Sequence, residues 1–228
     1  MIDVYCFSGA GHSAEVAAYC AERLGGRVIS IGADTVCRGE RALIVFPVYC
    51  ENLPPPVAGF LRRAEAGYAA LIATYGGMSY GRVLYDAQQL FPGSVIAGAY
   101  VPTEHSLARD GWRFDGAPLA PLLAKISEGG AEIMLPKTPK HILSDFALAW
   151  RSRIGAKLVR GGNCVGCNAC GAACPMGAMQ QGRANSACIR CLRCALACPQ
   201  GALSVRLLPV LSYYLRRRRC NDTVVYLN

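Results

Sequence analysis

The sequence predicts an α/β protein: a doubly wound, five-stranded parallel sheet, followed by a small α+β domain organised around cysteine. Three observations lead there. Apolar strand-like runs alternate with helical stretches through the first two-thirds of the chain, as they do in parallel sheets covered on both faces. Eight of the thirteen cysteines crowd into residues 164–198. Charge is also divided: residues 1–133 carry 10 Lys+Arg against 13 Asp+Glu, and residues 134–228 carry 14 against 2, within a total of +9.

The elements read in order. Strands are expected at Ile2–Phe7, Arg27–Ile31, Ala42–Val48, Ala69–Thr74 and Ser94–Val101, each a short apolar run bounded by turn residues. Helices are expected at Ala14–Leu24, Val57–Glu65, Tyr80–Leu90 and Leu119–Glu128. Pro54–Pro56 suits the first turn of the second helix, where a missing N–H costs nothing. Leu135–His141 holds two prolines and three cationic or imidazole side chains and reads as a connector. Ile142–Val159 then reads as an amphipathic helix with Ile142, Phe146, Trp150 and Ile154 on one face. The expected divisions are 1–134, a connector and helix at 135–159, the cysteine domain at 160–206, and a basic tail at 207–228 that contains Arg216–Arg219.

Composition sets bounds on the function. The chain is 53% hydrophobic and 17% charged, an ordinary balance for a packed core. Its longest apolar runs, Ala42–Tyr49 and Leu207–Leu215, are too short for a membrane span. The first residues lack the basic start and cleavage site of a secretory signal, so a soluble cytoplasmic protein is expected. In a reducing compartment clustered cysteines read as metal ligands rather than disulfides. Cys6, Cys20, Cys37, Cys50 and Cys220 are scattered and read mainly as small core residues.

The cysteine region is an internal duplication. Cys164, Cys167, Cys170 and Cys174 recur at Cys188, Cys191, Cys194 and Cys198, displaced by 24 residues, and Pro175, Gly177 and Ala178 recur at Pro199, Gly201 and Ala202. Each copy reads C-x2-C-x2-C-x3-C-P. Three cysteines at three-residue intervals supply three corners of a [4Fe–4S] cube from one loop, and the fourth serves the other cube. The ligand sets are then Cys164, Cys167, Cys170 and Cys198 for one cluster, and Cys188, Cys191, Cys194 and Cys174 for the other. Structural zinc usually pairs two C-x2-C knuckles across a longer gap, which this spacing does not match. Arg190 and Arg193 lie among the ligands and read either as solvated loop charges or as charges that raise a cluster potential. Residues 160–206 resemble bacterial-type two-cluster ferredoxins, with every ligand of that pattern present.

Ligands of parallel sheets sit at the carboxyl ends of the strands, so the loops there carry the remaining information. After the first strand comes Ser8-Gly9-Ala10-Gly11-His12-Ser13, a serine–glycine turn ahead of a helix. Its amides and the helix N-terminus suit an anion, although a capped glycine turn reads the same way. No lysine follows, which disfavours a triphosphate loop, and Ala14 stands where a dinucleotide fingerprint needs its third glycine. The third strand ends in Pro47-Val48-Tyr49, with Cys50, Glu51 and Asn52 beyond. The fourth ends in Thr74-Tyr75-Gly76-Gly77. Glycine pairs beside aromatics suit a planar ring.

With these loops in view, residues 1 to about 130 resemble a flavodoxin-like FMN domain, and the whole chain resembles flavodoxin–ferredoxin fusion proteins of anaerobic bacteria and archaea. In that family FSGTGNS holds the FMN phosphate; here Phe7 to Ser13 reads FSGAGHS, with Ala10 for the threonine and His12 for the asparagine. The resemblance implies FMN at Ser8, Gly9, Ala10, Gly11, His12 and Ser13, with Pro47, Val48, Tyr49, Thr74, Tyr75, Gly76 and Gly77 around the ring. His105, in Val101-Pro102-Thr103-Glu104-His105, stands where the family has a tyrosine that stacks on the flavin.

Two clusters and FMN on one chain imply an electron carrier that links two-electron flavin chemistry to one-electron carriers. The alternative is an FMN-dependent reductase of a small substrate, with Cys50, Glu51, Glu104 and His105 as its polar groups. No catalytic pair or triad is legible. The expected partner is another redox protein, of acidic character if the arginine-rich tail is a docking patch, rather than a nucleic acid.

Overall fold

A computed structural model describes residues 1–108, 111–141, 155–216 and 220–228. The first half builds a central sheet from β1 (Val4–Cys6), β2 (Val28–Ser30), β3 (Arg41–Pro47), β4 (Tyr68–Tyr75) and β5 (Ser94–Pro102). These five strands run parallel in the order β2-β1-β3-β4-β5. Between them lie the helices α1 (His12–Leu24), α2 (Pro55–Arg62) and α3 (Val83–Gln88), with α4 (Ala120–Glu128) after β5. Every expected strand and helix of this half is present, within a few residues at each end.

Burial on both faces is why these strands read as continuous apolar runs. In β3, Ala42, Ile44 and Phe46 point into one core with Val57, Phe60 and Leu61 of α2 and Val83, Leu84 and Ala87 of α3. Leu43 and Val45 point into a second core with Val16, Ala17 and Cys20 of α1 and Leu122, Leu123 and Ile126 of α4. Strand β4 divides in the same way, Leu71 and Ala73 against Ala70 and Ile72. This period of two, with apolar residues in both phases, is the signature of a two-sided sheet.

The sheet differs from the expected one at its edge. A sixth strand, β10 (Val224–Tyr226), pairs antiparallel with β5 through Val224↔Tyr100 and Tyr226↔Gly98. The sheet is therefore mixed and six-stranded, and part of the tail belongs to it. Three residues give too short a pattern to register, yet Val-Val-Tyr is strongly β-forming and covers the open edge of β5.

Between α4 and β10 lies the cysteine module. Strands β6 (Ala156–Arg160) and β9 (Leu203–Leu207) form an antiparallel ladder, Ala156↔Leu207 to Arg160↔Leu203. Inside it are α5 (Ala169–Ala172), the hairpin β7 (Met179–Gln180) and β8 (Arg183–Ala184), and α6 (Arg193–Leu196). A further helix, α7 (Pro209–Leu215), follows β9. The expected helix Ile142–Val159 is corrected at its end, because 156–160 is strand, with Ala156 buried and Lys157 exposed. Its earlier part, with Phe146, Trp150 and Ile154, lies outside the described residues, as do Arg217, Arg218 and Arg219 of the tail. Among the described residues no helix is long and apolar enough to cross a membrane.

Candidate functional site

The duplication seen in sequence is also one of geometry. Asn168 and its repeat partner Leu192 both take left-handed backbone angles, φ 61° and 66°, immediately before α5 and α6. The N–H of Ala178 donates to Cys174 Sγ at 3.2 Å, and that of Ala202 to Cys198 Sγ at 3.3 Å. Gly182 N–H donates to Cys170 Sγ at 3.2 Å. Backbone donors are thus aimed at three of the motif sulfurs.

An apolar cavity is lined by Cys188, Cys191 and Cys194 of the second copy together with Cys174 of the first, and by Leu158, Met179, Ile189 and Leu192. The fourth cysteine of one copy thus stands with the first three of the other. At the opposite end, Gly161 N–H donates to Ala202 O at 2.7 Å and Asn163 Nδ2 to Gln200 O at 2.7 Å, which ties the approach to Cys164 to the segment after Cys198. Among the described residues no three His, Cys, Asp or Glu side chains close on the position of a single ion. Four thiols around an apolar cavity are a donor set that fits an iron–sulfur cube.

The two thiol groups sit in different surroundings. Cys188, Cys191 and Cys194 are buried, while Cys167 is exposed. Burial raises the Cys191 thiol and pushes Cys194 up to about 12, with neighbouring cysteines adding to both shifts. Hydrogen bonding from Arg160 and then from the Gly166 backbone lowers Cys164.

All the loops singled out in sequence lie at the carboxyl edge of the parallel strands. Ser8–Ser13 joins β1 to α1, Pro47–Tyr49 ends β3, Thr74–Gly77 ends β4, and His105 follows β5. Ser13 Oγ and Thr74 Oγ1 share a buried hydrogen bond of 2.7 Å, and Val48 N–H donates to Thr74 O at 2.8 Å, so the three loops are fastened together. Ser8 Oγ accepts from Gly11 N–H at 3.2 Å and Ala14 N–H at 3.3 Å. Gly11 begins α1 at φ 101°. His105 covers one side of the glycine pair: a Cβ on Gly76 would meet its ring at 2.3 Å. Cys220 N–H donates to Gly77 O at 3.1 Å. Cys50 and Glu51 form a tight left-handed turn, φ 51° and 62°, closed by paired hydrogen bonds between Tyr49 and Asn52.

Sequence reading did not foresee how the two halves meet. The carbonyl of Cys191 rests on the Ser8–Ser13 loop where Gly9 has no side chain. A Cβ there would lie 2.1 Å from that oxygen and 2.5 Å from the Tyr49 hydroxyl. Arg193 Nε donates to Ser8 O at 3.1 Å, and its guanidinium lies 5.1 Å from the Phe7 ring centroid. The Tyr49 pKa is raised, first by burial and then by Cys191, with Arg193 opposing. The cysteine cavity and the loop at the end of β1 are therefore neighbours.

Residues 185–204 match the 4Fe–4S binding domain family, Fer4. The matched segment contains Cys188, Cys191, Cys194 and Cys198. A 4Fe–4S cluster is thus supported both by the match and by the cavity that three of these thiols line. No curated protein sequence matches the chain. Among solved structures, a crystal structure from Bacteroides eggerthii DSM 20697, described as a "putative flavoprotein", aligns at 16% identity. The alignment covers 49% of this chain and 94% of that one, with a TM-score of 0.35.

Proposed function

We propose that the chain is an electron-transfer iron–sulfur flavoprotein of the cytoplasm. In this reading residues 1–134 with the edge strand β10 hold FMN, and the cysteine module holds two [4Fe–4S] clusters. One cluster takes Cys164, Cys167, Cys170 and Cys198, and the other takes Cys188, Cys191, Cys194 and Cys174. The contact of Cys191 and Arg193 with Ser8 and Gly9 carries this reading, because it sets the second cysteine cavity against the loop suited to a flavin phosphate. The order of the five parallel strands, which is that of flavodoxin-like sheets, supports it.

The residues fit the phosphate end of such a cofactor. Among the described hydrogen bonds, the N–H groups of Ala10, His12 and Ser13 have no acceptor, and the last two open the thirteen-residue helix α1. Such amides favour an anion, and Arg193 adds a cation beside them. When bound, FMN would supply two-electron chemistry and the clusters one-electron steps. Tyr49, Thr74–Gly77 and His105 would shape the ring end, and burial would keep the Tyr49 hydroxyl protonated.

Anaerobic reconstitution with counting of iron, sulfide and flavin tests the reading. About eight iron and eight sulfide per chain are expected, and Cys174→Ala should retain about half of each. One FMN should bind, more tightly than riboflavin. Equal affinity for FMN and riboflavin would remove the phosphate from the Ser8–Ser13 loop, and stoichiometric zinc without sulfide would remove the clusters.

A further inference from the structure

The two cysteine motifs are near copies, but one position between their first two ligands differs in kind. The first motif has Gly166 there, at φ 73°, and the second has Arg190, at φ 57°. Glycine adopts this left-handed angle freely, whereas for arginine it is strained and persists only where its surroundings hold it. Those surroundings are visible. Arg190 Nε donates to Ala156 O at 2.9 Å, which anchors the guanidinium to the start of β6. The side chain lines the cavity of Cys174, Cys188, Cys191 and Cys194. Its Nη1 is buried and has no hydrogen-bond partner among the described residues.

A buried guanidinium nitrogen without an acceptor is costly, because its solvation is lost and nothing replaces it. Packing alone would be met more cheaply by an aliphatic side chain, and the backbone alone by the glycine of the first copy. We infer that Arg190 makes the two cluster sites unequal: its unpartnered Nη1–H serves the cluster held by Cys174, Cys188, Cys191 and Cys194 and makes that cluster the easier of the two to reduce. The inference rests on the two-cluster reading above.

The physical reason is charge. One-electron reduction adds one negative charge to a cluster and its thiolates. A fixed cation and N–H donor in an apolar cavity favour the more negative state, so the potential rises. The first site has a glycine at the equivalent place, and the arginine it does meet, Arg160 beside Cys164, is exposed, so solvent screens its charge. The second site also touches Ser8 and Gly9. An electron entering at the exposed site would thus run energetically downhill toward the sheet.

Redox titration of the reconstituted full chain, followed by electron paramagnetic resonance, tests this. Wild type should show two separate one-electron waves, and Cys174→Ser identifies the wave of the second site by changing its signal. In Arg190→Gly, which installs the residue of the first copy, that wave should move to lower potential by at least tenfold in the reduction equilibrium, about 59 mV for one electron. The other wave should stay in place, and Arg190→Lys, which keeps the charge, should recover part of the shift. If Arg190→Gly holds only about half the iron, Arg190→Gln reads the same wave without the backbone change. Full iron and sulfide with neither wave moved, or with both moved equally, would overturn the inference. A wild-type chain without iron and sulfide would instead overturn the cluster reading itself.

Discussion

In the sheet, Leu43, Ile44, Val45 and Phe46 are four consecutive residues with no exposed surface, flanked by a large apolar core on each side. In the cysteine module the one cluster of buried residues among those described is Cys170, Met179, Cys194 and Leu203, and two of these four are thiols. One region is held by apolar burial, as parallel sheets are. The other is too small to hold itself that way, and its interior is made of the groups that grip a cofactor. The difference teaches where each half is vulnerable: the sheet to changes in packing, the module to loss of its metal.

Three interventions press on that contrast. Removing iron with a chelator should have the largest effect. Amide protons of β6, α5, α6 and β9 should lose nearly all protection in hydrogen exchange, while those of β3 and β4 keep theirs; loss of protection across the sheet as well would show that the two halves share one core. Next is Gly9→Val at the junction. Its branched side chain has no room beside the Cys191 carbonyl, and overpacking of this kind costs about 1–3 kcal/mol. Urea unfolding should report that loss, and limited proteolysis should show cleavage within the module at lower protease concentration. An unchanged midpoint and cleavage pattern would mean that the halves do not meet at Gly9.

The third effect, smallest near neutral pH, belongs to the sheet alone. Cys20 is fully buried, and burial pushes its thiol from the ordinary value of 9.0 up to about 12. The folded state therefore holds its proton more tightly than the unfolded state does. That contribution is complete below pH 9 and is lost as pH rises toward 12, at about 1.4 kcal/mol per pH unit. Cys20→Ala should flatten the alkaline decline by about that slope, after its own small cost at neutral pH. Parallel curves for the two proteins above pH 9 would show that Cys20 does not titrate on unfolding.

The sequence was most readable where burial repeats. Strands enclosed on both faces, such as Ala69–Thr74, cannot be mistaken for loops, and the cysteine spacing carries its own geometry. Two errors share one cause. At 156–160 the alternation of Ala156, Leu158 and Arg160 was absorbed into a helical pattern that began at Ile142, and at 224–226 a strand of three residues was too short to register. In both, the pairing partner is remote in the chain, and local pattern does not contain it. The same holds for the site. Each loop was visible as a turn at a strand end, but Arg193 reaches Ser8 across 185 positions, and no local signal announces a contact of that kind. Arg190 was legible as a charge among the ligands, solvated or raising a cluster potential, but its anchor on Ala156 O, a residue 34 positions away, was not.

The antiparallel strand β10 has a consequence for how the protein is made. It follows the cysteine module in the chain yet completes the sheet that precedes it, and Tyr75 Oη donates to Asp222 O at 2.8 Å as this segment crosses back. During synthesis, which delivers the N-terminal part first, the flank of β5 stays open until residues 224–226 leave the ribosome. By then all eight motif cysteines have already emerged. Closure of the sheet thus follows emergence of the thiols, and a nascent chain stalled before Val224 would carry a complete set of them beside an unprotected β-edge.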